Sequence, residues 1–236
     1  MNMKNLKVEA AILAVGLALL GIFIDNGIGS LAKRDRVVSV RGLAEKEVMA
    51  DRVIWPLVYK TVGNDLGSVY KDISAANAKI TAFLTSNGIK AKEITTGAPQ
   101  VNDLWTNEYT NIPPDKQRYN ATSVITVSTS DVERVRTLML RTGELLSQGV
   151  AIAPNDYNSP IQFDFTSLNK IKPQMIEQAT KNAREAAKKF AKDSDSKLGK
   201  IKSAQQGLFS IDDRDSNTPY IKEVRVVTTI DYYLDN

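Results

Sequence analysis

The chain has 236 residues, 42% of them hydrophobic and 25% charged, with a net charge of +4. That is enough for one large or two small domains with a sizeable core, and so mild a charge nominates no nucleic-acid partner. There is no cysteine and no histidine, which excludes disulfides, thiol nucleophiles, thiolate or imidazole metal sites, Ser–His–Asp chemistry and histidine acid–base catalysis.

Residues 10–24, AAILAVGLALLGIFI, are continuously apolar and end at Asp25-Asn26. A membrane-spanning helix needs about 20 residues, and Val8 and the Gly27–Leu31 region extend the segment to that length. Residues 1–32 are therefore read as a membrane anchor. A cleaved signal peptide stays open, with Ser30-Leu31-Ala32 as a small-x-small site. A buried soluble helix is disfavoured by the all-round apolarity. Lys33, Arg34 and Arg36 make the downstream flank at least as basic as the upstream one, so charge leaves the orientation ambiguous. Residues 33–236 are read as one domain placed outside the cytoplasm.

Residues 37–43 alternate and predict a strand, with Glu45–Asp51 as a polar connection. Arg52–Val62 predicts a second strand, in which Pro56 argues for an edge or a bulge. Asn64 or Asp65 caps a helix with apolar positions Leu66, Val69, Ile73, Ala76, Ile80 and Phe83, and Asn87-Gly88 closes it. Ile94–Val101 and Tyr119–Val127 predict a long hairpin. Asp131 then caps a helix with inner face Val132, Val135, Leu138/Met139, Thr142 and Leu145/Leu146, ending at Gln148-Gly149. Val150–Ala153 and Ile161–Phe165 predict short strands.

The stretch Pro173–Ile201 carries Ile176, Ala179, Ala183, Ala186/Ala187 and Phe190 at helical spacing, with Pro173 in its first turn. Its other face holds Lys181, Arg184, Lys188 and Lys192, interleaved with Glu177 and Glu185, and reads as a solvated surface. Ile201–Ser210 and Glu223–Leu234 predict a final hairpin. The whole predicts an α+β fold. Helix, strand pair, helix and strand pair share one antiparallel sheet, an internal pseudo-repeat.

Two connections are candidate sites. Asn102–Arg118 gathers Trp105, Tyr109, Pro113 and Pro114 in a hairpin loop of unusual length, a candidate oligomer contact or ligand lip. Alternatively, its strands extend and its aromatics pack on the sheet. Ser210–Tyr220 places Asp213, Asp215 and Asn217 at calcium-loop spacing, but Thr218 stands where glycine is needed and Val224 where a bidentate Glu is needed, so a solvated turn is preferred. Gly199-Lys200-Ile201-Lys202-Ser203 is not a phosphate loop. The sequence nominates no catalytic residue, cofactor or metal.

Val38-Ser39-Val40-Arg41-Gly42, then Glu47 and Ala50-Asp51-Arg52, then Ala179-x-x-x-Ala183-Arg184-x-x-Ala187 and Leu198-Gly199-Lys200-Ile201 together resemble the SIMPL-domain family of bacterial envelope and secreted proteins. The resemblance covers roughly residues 37–236. It implies an α+β fold with helices packed on a long twisted antiparallel sheet, export, ring-like or higher oligomers in some members, and an association with envelope or oxidative stress. It brings no catalytic residues. Trp55-Pro56 and the 102–118 loop have no counterpart in the family pattern. On physical grounds Gly42 ends a strand where the chain turns. Gly199 takes a left-handed helix cap, and Ala183 and Ala187 permit close helix–sheet contact.

The expectation is a non-enzymatic, envelope-facing module. It is anchored in the bacterial inner membrane with its domain in the periplasm or outside the cell, or secreted if cleaved. Its partners are the membrane and further copies of itself, with no nucleic acid and no nominated small molecule. An exported hydrolase using acidic loop residues and a receptor using the 102–118 loop are the alternatives.

Overall fold

Alternating runs of β-branched and aromatic residues become strands, and the 3.6-period runs become helices, in a computed structural model that describes residues 13–24, 36–106, 117–153 and 159–235. Residues 13–24 are helical and exposed. Among the described residues no helix is long and apolar enough to cross a membrane. Residues 1–12 and 25–32 of the expected anchor lie outside the described residues.

In chain order the elements are β1 (Val37–Met49), β2 (Arg52–Gly63), α1 (Leu66–Ser86), β3 (Ile94–Thr96), β4 (Gln100–Asp103), β5 (Tyr119–Thr129), α2 (Val132–Leu140), α3 (Gly143–Ser147), β6 (Gln162–Asp164), α4 (Leu168–Asp193), β7 (Lys197–Gln206), β8 (Ser210–Asp213) and β9 (Ile221–Asp235). This is the α+β class, but the strands form two antiparallel sheets where the pattern predicted one. One sheet runs β1-β9-β7, with β8 also on β9. The other runs β3-β5-β2-β6, with β4 also on β5. The chain divides into two compact units: Met1–Lys46, Asn169–Ser210 and Val224–Asn236 form the first, Glu47–Leu168 and Ile211–Glu223 the second.

In the first unit, α4 buries Met175, Ala179, Ala183, Ala187 and Ala191, one residue per turn. Ala183 and Ala187 pack with Val40, Ile230 and Tyr232. Gly42 does not end a strand. It lies inside β1, where an added Cβ would stand 2.5 Å from Ala183 N and 2.8 Å from Ala183 Cβ. Its lack of a side chain lets the helix lie on the strand. Asn182 Nδ2 donates to Leu43 O at 2.8 Å across the same contact.

Several expectations for this unit are corrected. The helix starts ahead of Pro173, which sits inside it. Phe190 is 59% exposed, because the alanine stripe, not the wider apolar arc, faces the sheet. Asp195, at φ 51°, makes the left-handed exit, while Gly199 lies in β7. A Cβ on Gly199 would meet Tyr233 O at 2.9 Å, beside a register shift between Leu198 and Ile201. Backbone approach at a bulge is the reason for this glycine. The predicted polar connection 45–49 continues β1, because backbone pairing outweighs the weak strand preference of Glu45, Lys46 and Glu47.

The second unit is built on β2 and β5, which pair without interruption from Val53↔Thr129 to Gly63↔Tyr119. Pro56 is thus neither in an edge strand nor at a bulge. On the other side of β2, β6 reaches only Arg52–Ile54 and the next bridge is Tyr59↔Ile152, so the missing N–H falls where the flank is locally unpaired. The predicted strands at 150–153 and 161–165 both meet β2 and do not pair as a hairpin.

Helix α1 matches its expectation except at Leu66, which is exposed. Asp65 Oδ2 accepts from Ser68 N at 2.7 Å, and Gly88 exits at φ 89°. The helix predicted from Asp131 splits into α2 and α3. Strand 94–101 splits into β3 and β4, whose registers on β5 differ by one residue across Gly97. Val53, Leu57, Ile80, Leu84, Ile125, Val135 and Leu145 fill the core.

Candidate functional site

The motif Glu47, Ala50-Asp51-Arg52 has a definite mechanical task in the second unit. Ala50 N donates to Tyr220 O at 2.8 Å, and Asp51 N to Asp164 O at 2.8 Å. The Asp51 carboxylate accepts from Thr166 N at 2.6 Å, Thr166 Oγ1 at 2.9 Å and Ser167 N at 2.9 Å. Burial pushes its carboxyl up, but hydrogen bonding to the Ser167 side chain, together with these bonds, outweighs that and holds it below the ordinary carboxylate range. Arg52 Nη2 meets Asp164 Oδ2 at 2.8 Å, and Glu47 meets Arg214 at 3.3 Å. One short stretch therefore ties down β6 and both ends of the 214–220 loop.

That loop is also braced from within. Asp215 Oδ1 accepts from Asn217 N and Thr218 N, each at 2.8 Å, and Arg214 Nε donates to Oδ2 at 3.1 Å. Hydrogen bonds from the Thr218 side chain and then Arg214 lower its carboxyl to about 2. Asp213 pairs with Lys222. The acidic residues weighed for calcium thus hold the loop itself. Among the described residues no group of three or more acidic, His or Cys side chains is placed to hold a metal ion.

The braced loop, β6 and α2 enclose an open groove of about 850 Å³. Its apolar lining includes Met139, Leu140, Ile161, Phe163, Pro219 and Tyr220. Leu140, the last residue of α2, is 89% exposed. Phe163 and Tyr220 meet edge to face, with ring centroids 6.1 Å apart. The Arg136 guanidinium lies 3.6 Å over the Tyr220 ring and pairs with Glu133 at 2.6 Å. The volume falls in the range of small-molecule sites. The groove offers apolar contact, aromatic surface from Phe163 and Tyr220, and the Arg136 guanidinium.

The residues singled out from sequence lie elsewhere. Trp105 sits in a short 3-10 turn and is 62% exposed. Arg118 lies 5.5 Å over its ring and 4.9 Å over that of Tyr119, held by Asp103 at 2.7 Å. Tyr109, Pro113 and Pro114 lie outside the described residues. Gly42, Ala183 and Ala187 come together at the helix–strand contact of the first unit, and Gly199 serves another strand pair there. The groove was missed because its walls come from 133–140, 160–163 and 216–220. Its one sequence signal is Leu140, a large apolar residue off the inward face of its helix.

By fold and site the chain is an α+β protein carrying an aromatic-lined apolar groove braced by a polar motif. It belongs to the SIMPL family, whose model, described as a protein of unknown function (DUF541), matches residues 38–228. Among curated proteins none matches the chain.

Proposed function

We propose that this SIMPL-family protein is a non-enzymatic binding module that takes apolar ligands in the groove of its second unit. It is held at the bacterial inner membrane by residues 1–32, with residues 33–236 in the periplasm or outside the cell, and works as a homo-oligomer. The observation that carries the binding reading is the groove, with Leu140 and Ile161 left exposed at its lip. Large apolar side chains gathered around a concavity mark binding surfaces.

The apolar run 10–24 and the exposed helical residues 13–24 support the anchor. The absence of His and Cys supports a non-enzymatic role. The oligomer and the link to envelope or oxidative stress rest on family likeness.

Leu140→Asp tests the binding reading. The substitution puts a charge on the groove lip at an exposed position, so stability should stay within about 0.5 kcal/mol of wild type. Binding of 1-octanol, followed through the 13C-labelled Met139 methyl of the nanodisc-embedded full chain, should be lost. Unchanged octanol binding in a folded Leu140→Asp variant would sink the groove reading. Protease added to intact spheroplasts should digest residues 33–236 if they face outward, and leave them whole if they face the cytoplasm.

A further inference from the structure

We infer that the groove's ligand class is an alkyl carboxylate, a molecule with a carboxylate head and an apolar hydrocarbon tail. The inference rests on the groove being a binding site and adds the head group and the nature of the tail.

Arg136 carries the head-group assignment. Its Cζ lies 3.6 Å over the centroid of the Tyr220 ring, and a guanidinium on an aromatic face keeps its N–H edges available for coplanar bonds. Nη1 is engaged by Glu133 Oε2 at 2.6 Å. Among the described residues, Nε and Nη2 have no hydrogen-bond partner. A guanidinium edge with two free donors matches a carboxylate bidentately.

The Glu133 carboxylate does not cancel this. Its side chain is 73% exposed, against 30% for Arg136, so it lies on the solvent side of the pair. An exposed helix pair of this kind contributes only about 0.3–0.5 kcal/mol. A ligand carboxylate on the less exposed, Arg136 side of the pair makes the stronger contact, because the surrounding dielectric is lower.

The tail assignment follows from the lining. On the loop side the N–H groups of Asn217 and Thr218 are already taken by Asp215 and Tyr220 O by Ala50, and Met139, Leu140, Ile161, Phe163 and Pro219 offer carbon surface. Methionine in such a lining adapts to a flexible chain.

The test uses the full chain in nanodiscs, with empty nanodiscs subtracted, and reads the Met139 methyl shift. Octanoate and 1-octanol share a tail and differ in the head. Octanoate should bind at least about tenfold tighter, the range of a charge-assisted bidentate contact, and only octanoate should weaken as salt is raised. Arg136→Met should abolish the preference while retaining octanol binding. Glu133→Gln removes the competing acid and should tighten octanoate. It supplies an independent reading if Arg136→Met fails to fold. Equal binding of octanoate and octanol would overturn the carboxylate assignment and leave the groove standing. Tighter binding of N-acetyl-leucyl-leucine than of octanoate would overturn the alkyl tail. Silence of Met139 toward every probe would overturn both this inference and the groove.

Discussion

Gly42→Ala probes the contact on which the first unit is built. The new Cβ would stand 2.8 Å from Ala183 Cβ and 2.5 Å from Ala183 N, and closer still to Ala179 O. Unstrained carbon contacts sit at about 3.5–4.0 Å. Helix and strand must therefore separate by roughly 1 Å or more, and two of the three obstacles are helix backbone that cannot rotate aside. Ala179, Ala183 and Ala187, each 0% exposed, and Ala191 at 2% would lose their fit to the sheet together. Overpacking costs about 1–3 kcal/mol where side chains can adjust, and a backbone clash places this site at or above the top of that range. Hydrogen–deuterium exchange on the full chain reads it locally. Amides of α4 should lose about 3 kcal/mol of protection, while those of α1 keep theirs. Ala183→Gly in the same background should rescue only part of the loss, since Ala179 O and Ala183 N remain in place. Unchanged α4 protection in Gly42→Ala would refute the close-approach explanation of this glycine.

Three further outcomes follow from single residues. Asp51→Asn keeps one acceptor oxygen but loses the charge on Thr166 and Ser167, and should cost about 1–2 kcal/mol by analogy with helix caps, measured by urea unfolding. Because the Asp51 carboxyl is held low in the folded chain, its stabilisation is complete above about pH 4 and fades as pH falls through the folded value. The gap between wild type and Asp51→Asn should narrow on acidification, and a gap that widens would contradict the assignment. Gly88→Ala forces a side chain into φ 89° and crowds the Arg134 guanidinium, which donates to Asn87 O at 3.3 Å. A loss of about 1–2 kcal/mol is expected, visible as earlier fraying at the end of α1. Arg52→Ala removes an exposed pair with Asp164, and should cost no more than about 1 kcal/mol in thermal unfolding.

How far the sequence could be read depended on whether a feature is local. Helix α1 was legible because its start, stop and face are written within its own residues, at Asp65, at Gly88 and in the spacing from Val69 to Phe83. The start of α4 was hidden by Pro173, which usually marks a first turn and here lies inside the helix. Gly42 and Gly199 stand out in the sequence as turn and cap, and in the structure both lie inside strands where a neighbour comes close. A glycine looks the same in sequence whether it turns the chain or makes room for a neighbour, and at both positions the neighbour lies far along the chain. The same distance hid the groove. Nothing in 133–140 announces that 160–163 and 216–220 will face it. The motif Ala50-Asp51-Arg52 was visible as a family mark, yet its task of bracing β6 and the Tyr220 loop appears only once Asp164, Thr166 and Ser167 are seen beside it.

The central claim is that the groove between α2, β6 and the 214–220 loop binds an apolar ligand. Intermolecular nuclear Overhauser effects from octanol protons to the 13C-labelled methyls of Met139, Leu140 and Ile161 test it most directly. Cross-peaks to those three methyls, with none to Ala183 and Ala187 in the first unit, are the expected result. Octanol cross-peaks confined to other methyls, or spread evenly over the surface, would contradict it.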